Sequence, residues 1–364
     1  MLSLLYFTIA ACFGILSINA SQRHRPLSFL VESIFVVLSY RQIPELGFPS
    51  YHGYFHLFLI IWHLHMSCTL FVERYASPSG LAPWDWRTGY KMLFNSRWVG
   101  TTRQAPGIAR RKAPRFSFMR NRILSFLAIS AIDQLKPYAL TFVLGFEPFK
   151  YNDSVLLKRT LPRFVLQFLN TELDDPVFRI YLTVSTLWTS YGLFTRFHDL
   201  FAIVFVSMGL DQPEDWPALY GNITEAYTLG QFWGKFWHKL IYRSGISYAS
   251  YVSIYILGLS RSSPLGGLFV KFFVFLLSGI NHAIEKGTNS CAGAWWDDIW
   301  FYLLNFTAIM MEMGVQAIVK KIREKIGWAG IRSLDKLLGY FWVFGFLCWS
   351  MSKFHFRSVK LCGF

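Results

Sequence analysis

Charge is scarce in this chain: Asp, Glu, Lys and Arg make up 16% of 364 residues, against 53% apolar and 19% aromatic types. So little polar surface does not suit a water-soluble enzyme of this length, and the composition reads as a polytopic helical membrane protein. Period-2 alternation with evenly spaced turns is missing, which speaks against a membrane β-barrel. The five cysteines, Cys12, Cys68, Cys291, Cys348 and Cys362, include no C-x-x-C pair, so neither a disulfide framework nor a zinc site is implied. A G-x-S-x-G elbow and a glycine-rich phosphate loop after a strand are both lacking. No His-His dipeptide occurs among the nine histidines, although a membrane di-iron oxygenase would need several.

Acidic residues are fewer than basic ones, 21 against 36, for a formal charge of +15. The excess lies in loops between apolar runs and accompanies no nucleic-acid-binding module. That is the pattern of loops held at the cytosolic face beside anionic headgroups, with the lipid bilayer and not nucleic acid as partner.

What the chain has in abundance is apolar runs, at about 3–20, 27–40, 54–72, 123–147, 178–209, 246–260, 265–284, 296–319 and 337–351. They predict an all-α, multi-pass integral membrane protein of about seven to nine transmembrane helices in one domain, 1–364, without repeats. The apolar start, Met1 to Ala20, lacks a basic flank and reads as a retained helix. The run at 178–209 is too long for one untilted span and contains Arg196, His198 and Asp199, so it is expected to tilt out of the bilayer or to break. Seven basic and no acidic residues between Asn95 and Asn121 place that loop in the cytosol. Segment 150–176, with the sequon Asn152-Asp-Ser154, then faces the lumen, and 211–244 returns to the cytosol. Lys320, Lys321, Arg323 and Lys325 also belong there, which requires a re-entrant or interfacial segment after 244.

His282 closes the apolar stretch Phe275-Leu-Leu-Ser-Gly-Ile-Asn-His282, and an ionisable group in such a run is a functional candidate. Ser278, four residues earlier, shares its helical face and is a candidate to orient the ring, while Asn281 points elsewhere. A neutral imidazole in an apolar setting suits a general base. The competing reading is a histidine that bonds neighbouring helices together. A second segment, Gln231-Phe-Trp-Gly-Lys-Phe-Trp-His238, sets Trp233 and Trp237 four apart, on one face of a helix, with His238 beside them. Taken alone it is equally an aromatic belt at the membrane interface. His52, His56, His63 and His65 make a third group; the first two have the i, i+4 spacing of a metal pair, but a polar face lining a cavity explains them better. Asp133 and Lys136 are spaced to form an ion pair, and Arg196, His198 and Asp199 read as a boundary cluster.

Three segments together resemble the membrane-bound O-acyltransferases, and within them the wax synthase-like proteins of fungi. They are Trp86-Arg-Thr-Gly-Tyr-Lys-Met-Leu-Phe-Asn-Ser-Arg-Trp-Val-Gly-Thr101 and the two segments that end in His238 and His282. The likeness is strongest to the acetyltransferases that tailor fungal terpenoids and meroterpenoids. It implies an acyltransferase tunnel in a multi-pass protein of the endoplasmic reticulum, and transfer of an acetyl group from acetyl-CoA to a hydroxyl of a lipophilic acceptor. Acetyl-CoA is then a co-substrate, and no cofactor or metal is permanently bound. By motif position His282 resembles the family's essential histidine. His238 stands where many members carry asparagine and wax synthase-like members carry histidine, with Trp233, Trp237, Asn281 and Ser278 around the substrates. His238 or an indole N–H would stabilise the oxyanion. Arg97, Arg103 and Lys235 are the candidates to meet the coenzyme's phosphates, with the cluster Arg110-Arg-Lys112 behind them. A long-chain acyl-CoA wax ester or neutral-lipid synthase is the alternative on the same site. A transporter would need inverted repeats, and none is visible.

Overall fold

A computed structural model describes residues 1–48, 51–75, 86–144, 176–260, 262–288, 295–327 and 331–362. Among the described residues the regular structure is helical: α1 (Leu2–Asn19), α2 (Arg25–Arg41), α3 (His52–Ser67), α4 (Trp86–Leu93), α5 (Arg115–Leu144), α6 (Pro176–Ser207), α7 (Tyr242–Tyr251), α8 (Pro264–Thr288), α9 (Trp295–Ile326) and α10 (Arg332–Cys362). Eight of the nine apolar runs fall largely on one of these helices; the run 246–260 is shared between α7 and a π-helical turn at Val252–Ile256. Prolines stand in the first turns of α2, α6 and α8, where the missing N–H costs no hydrogen bond. Gly327, with φ +67, follows the last residue of α9 and allows the chain to leave it. The sequon Asn152-Asp-Ser154 lies outside the described residues.

Among the described residues four helices are long and apolar enough to cross a membrane, Leu2–Asn19, His52–Val72, Pro264–Lys286 and Trp295–Ile326. The span count expected from the apolar runs is larger, because α5, α6 and α10 also contain charged residues. No break occurs in α6: Arg196, His198 and Asp199 sit inside one continuous helix of 32 residues. On α9, Met311, Val315, Ile318 and Ile322 form an exposed stripe at helical spacing, an apolar face suited to lipid.

The chain falls into two compact units, each assembled from two separate stretches: Met1–Pro106 with Lys239–Thr307, and Gly107–His238 with Ala308–Phe364. In the first, α1 lies along α2, and Ser3 and Ser39 each donate to the other's carbonyl, at 3.0 and 2.9 Å. Ala10, Ile18, Trp62, Met66, Leu93 and Trp98 form its core. α8 packs on α7 and α3, which are themselves joined by the 2.6 Å hydrogen bond between Ser67 and Tyr248.

In the second unit α5 packs on α6 through polar links. Asp133 accepts from Trp188 Nε1 at 2.6 Å and pairs with Arg196 at 2.7 Å. Arg122 meets the fully buried Asp199 at 2.6 Å. The part of α9 in this unit contributes Glu312, which accepts from the backbone of Leu229 at 2.7 Å and from Trp342 Nε1 at 2.9 Å.

Candidate functional site

In the first unit α8 and α9 meet at Gly279. A methyl group there would sit 2.8 Å from the Ile299 Cα, so only glycine permits the approach. Along the same contact the imidazole of His282 stacks on the phenol of Tyr302, with centroids 5.3 Å apart and planes 20° from parallel. Phe272 packs edge-on to Phe306 at 5.6 Å. Lys286 bridges both carboxylate oxygens of Asp298, at 3.0 and 2.9 Å. His282 is therefore held by a neighbouring ring, and it is only partly buried. Its expected orienting partner is otherwise engaged: Ser278 donates to the Val274 carbonyl of its own helix at 2.9 Å. Asn281 is 4% exposed, and its Nδ2 finds no acceptor among the described residues. A buried amide donor in that state costs about 1–3 kcal/mol unless a ligand accepts from it. We expect Gly279→Ala to push α9 away and lower turnover at least several-fold with little loss of folded protein. Product assayed per mole of purified protein checks this, and full activity would show that the close approach does not matter.

His238 belongs to the second unit. Trp233 and Trp237 do not share an α-helical face as the spacing suggested. Residues Phe232–Phe236 form a π-helical turn, with the Trp237 N–H donating to the Phe232 carbonyl at 2.7 Å, and Trp237 itself is extended. The wider turn delivers a similar contact by another route, for the indoles meet edge to face at 5.8 Å. Gly221 closes the turn by donating to the Phe236 carbonyl at 2.8 Å; a Cβ there would overlap the Lys235 carbonyl. His238 then lies among the rings of Phe194, Tyr220 and Trp237, with centroids at 5.1, 5.7 and 5.5 Å. Turns of this kind recur at functional sites.

Each of the three basic residues proposed for phosphates has its own setting. Lys235 pairs with Glu225 at 3.2 Å on the surface of the second unit. Arg103 forms an ion pair with Glu73, which also takes Arg243 at 2.9 Å, so the basic loop that begins at Asn95 is partly neutralised by a carboxylate outside it. Arg97 is 7% exposed. Arg110 is paired as well, with Asp215 at 3.3 Å.

The remaining candidates have structural partners. His52, His56 and His65 reach the carbonyls of Leu46, Tyr40 and Met92, at 2.9, 3.1 and 2.7 Å, and His63 reaches Glu32 at 3.2 Å. Four imidazoles turned to four different oxygens do not gather round one ion, and no metal cluster is found among the described residues. Asp133 draws its cation from Arg196 on another helix instead of from Lys136. Tyr302, Glu73 and Asp298 escaped the sequence reading, since each is paired with a residue distant in the chain or on another helix.

Residues 216–304, which include His238 and His282, match the Membrane bound O-acyl transferase family. Acetyltransferase spyB of Aspergillus fumigatus is 32% identical over 152 residues, 39% of this chain and 26% of that protein. Acetyltransferase aurG of Calcarisporium arbuscula is 29% identical over 207 residues, 54% of this chain and 48% of its own length. Acetyltransferase atnC of an Arthrinium species is 30% identical over 184 residues, 50% and 42%. The chain thus spans less than half the length of each of these relatives. The family match covers the two expected segments that end in His238 and His282, though not Trp86–Thr101, and the helices with their apolar faces are those of an integral membrane protein.

Proposed function

We propose, on the premise that residues 216–304 are a membrane-bound O-acyl transferase segment, that this protein transfers an acetyl group from acetyl-CoA to a hydroxyl of a lipophilic acceptor. The single observation that carries the reading is His282: a partly open imidazole at the end of an apolar helix, its plane set by Tyr302 and its neighbour Asn281 holding a buried donor. In the proposed reaction an imidazole nitrogen of His282 takes the acceptor's hydroxyl proton as the oxygen attacks the thioester carbon. The C–O bond forms, and the carbonyl oxygen gains the charge that the Asn281 amide is suited to bind. When the C–S bond breaks, the coenzyme thiolate receives the proton back from His282. No acyl-enzyme is needed. By motif position His238 is proposed as a second functional residue, which its own substitution would test. The relatives' names support acetyl as the group transferred, and a terpenoid or meroterpenoid alcohol in the endoplasmic reticulum membrane is the acceptor proposed.

Microsomes that contain the chain are expected to make a product one acetyl group heavier than the acceptor, with palmitoyl-CoA a poor competitor. Mass spectrometry of host metabolites with and without the gene reads this directly. Ester products of long-chain length would instead support a wax ester or neutral-lipid synthase, and no gene-dependent ester would remove the reading.

A further inference from the structure

Beside its place in the core, the segment 95–106 builds a second constellation within the first unit. Trp98 is 3% exposed, and its indole N–H finds no acceptor among the described residues. Its ring lies 5.7 Å from the Arg243 guanidinium, whose Nε is likewise a buried donor without a partner among them. Lys239, 8% exposed, donates to the neutral carbonyl of Pro106. Burial, and then the nearby Arg97 guanidinium, push the Lys239 amine below its ordinary range. Lys239 and Arg243 flank the start of α7, where the helix presents its own N–H groups and positive end. Glu73 is the carboxylate of the cluster, and Arg103 and Arg243 share it.

The backbone is unusual at the same place. Arg74 and Trp98 are the non-glycine residues with positive φ among the described residues, at 47° and 54°, and they adjoin Glu73 and Arg97. Each such conformation is strained and persists where surrounding structure enforces it, often around a ligand. Orphaned donors and a buried lysine that donates to a neutral carbonyl together describe a cradle for a multiply charged anion.

We infer that Trp98, Lys239 and Arg243, at the N-terminus of α7, form a phosphate-binding site that takes the nucleotide end of coenzyme A. The choice of coenzyme rests on the acyltransferase reading, in which it is the phosphorylated reactant; phosphate chemistry alone is shared with an anionic lipid headgroup.

The test uses the full chain in nanodiscs and two variants, Lys239→Gln and Trp98→Phe, the second of which keeps an aromatic ring in the core and removes the indole N–H with its five-membered ring. Adenosine 3′,5′-bisphosphate, the coenzyme's nucleotide portion, should bind the wild type by calorimetry and bind each variant about tenfold more weakly, the loss expected for one hydrogen bond to a charged group. The preference for acetyl-CoA over S-acetylpantetheine, in kcat/KM, should fall by the same factor, with Lys239→Arg recovering most of it. A parallel loss with both donors, or no binding of the bisphosphate, overturns the inference and leaves acyl transfer standing. Bisphosphate binding without any acyl transfer keeps the phosphate site and removes the reaction instead. Binding that appears only as displacement of phosphatidic acid from anionic nanodiscs, and is absent in phosphatidylcholine, assigns the site to a headgroup and overturns the coenzyme.

Discussion

Replacement of His282 by alanine is expected to reduce acyl transfer by about a hundred- to ten-thousand-fold, the range that loss of a positioned general base produces. Neither of the polar residues proposed beside it supplies a base: Ser278 donates its hydrogen to Val274, and Asn281 is an amide. Because the ring stacks on Tyr302, alanine also removes a packing contact, so folding and chemistry need separate readouts. His282→Gln retains much of the volume and no basicity, and should be as inactive as alanine. Tyr302→Phe retains the stacking ring without the hydroxyl and should keep most of the activity. Turnover per mole of monodisperse protein, with membrane abundance measured on the same preparations, decides the matter. Activity of His282→Gln within tenfold of wild type would show that the imidazole does not carry the proton and would reduce it to a contact between two helices.

How much of this was legible in the chain depends on the range of the interaction. Apolar run length is a local property, and eight of the nine runs fall largely on one helix, including α6, whose three polar residues suggested a tilt or a break. They do not break it, because each finds its partner on another element or within the helix: Arg196 reaches Asp133, and Asp199 reaches Arg122. Such pairings join residues 63 and 77 positions apart, and no periodicity announces them. Lys136 looked the natural partner of Asp133 since helical spacing is what a sequence displays. His282 was legible as a cost, an imidazole at the end of an apolar run. Tyr302 was not, because the stack depends on the approach at Gly279, which is a fact about two backbones. The basic segment shows the same limit. Its positive charge was plain, but Glu73 precedes it by more than twenty residues, and the strained Trp98 is indistinguishable in sequence from any interfacial tryptophan. In the Trp233–His238 segment composition predicted an aromatic cluster correctly, while the π-helical turn that forms it was hidden, because helical spacing counts assume 3.6 residues per turn.

The largest stability effect is expected from Arg122→Met. Asp199 is fully buried, and the Arg122 guanidinium at 2.6 Å balances its charge. The same guanidinium donates to the Trp216 carbonyl and lies 5.0 Å from the Phe118 ring, so it also fixes the first residue of the segment that matches the O-acyl transferase family. Removing one member of a buried ion pair typically costs about 3–5 kcal/mol, most of it the penalty of leaving the other charge without compensation. For this size class that corresponds to an apparent melting temperature lower by roughly 5–10 °C, read as loss of the monodisperse peak after heating in detergent. The penalty should be specific to the stranded charge. Asp199→Asn placed on the Arg122→Met background therefore ought to recover much of the loss, because it removes the charge that the arginine balanced. That recovery is a coupling which two independent sites would not show. If the double variant melts at the sum of the two single losses, the pair is not a unit, and the Trp216 carbonyl contact would have to account for the effect of Arg122.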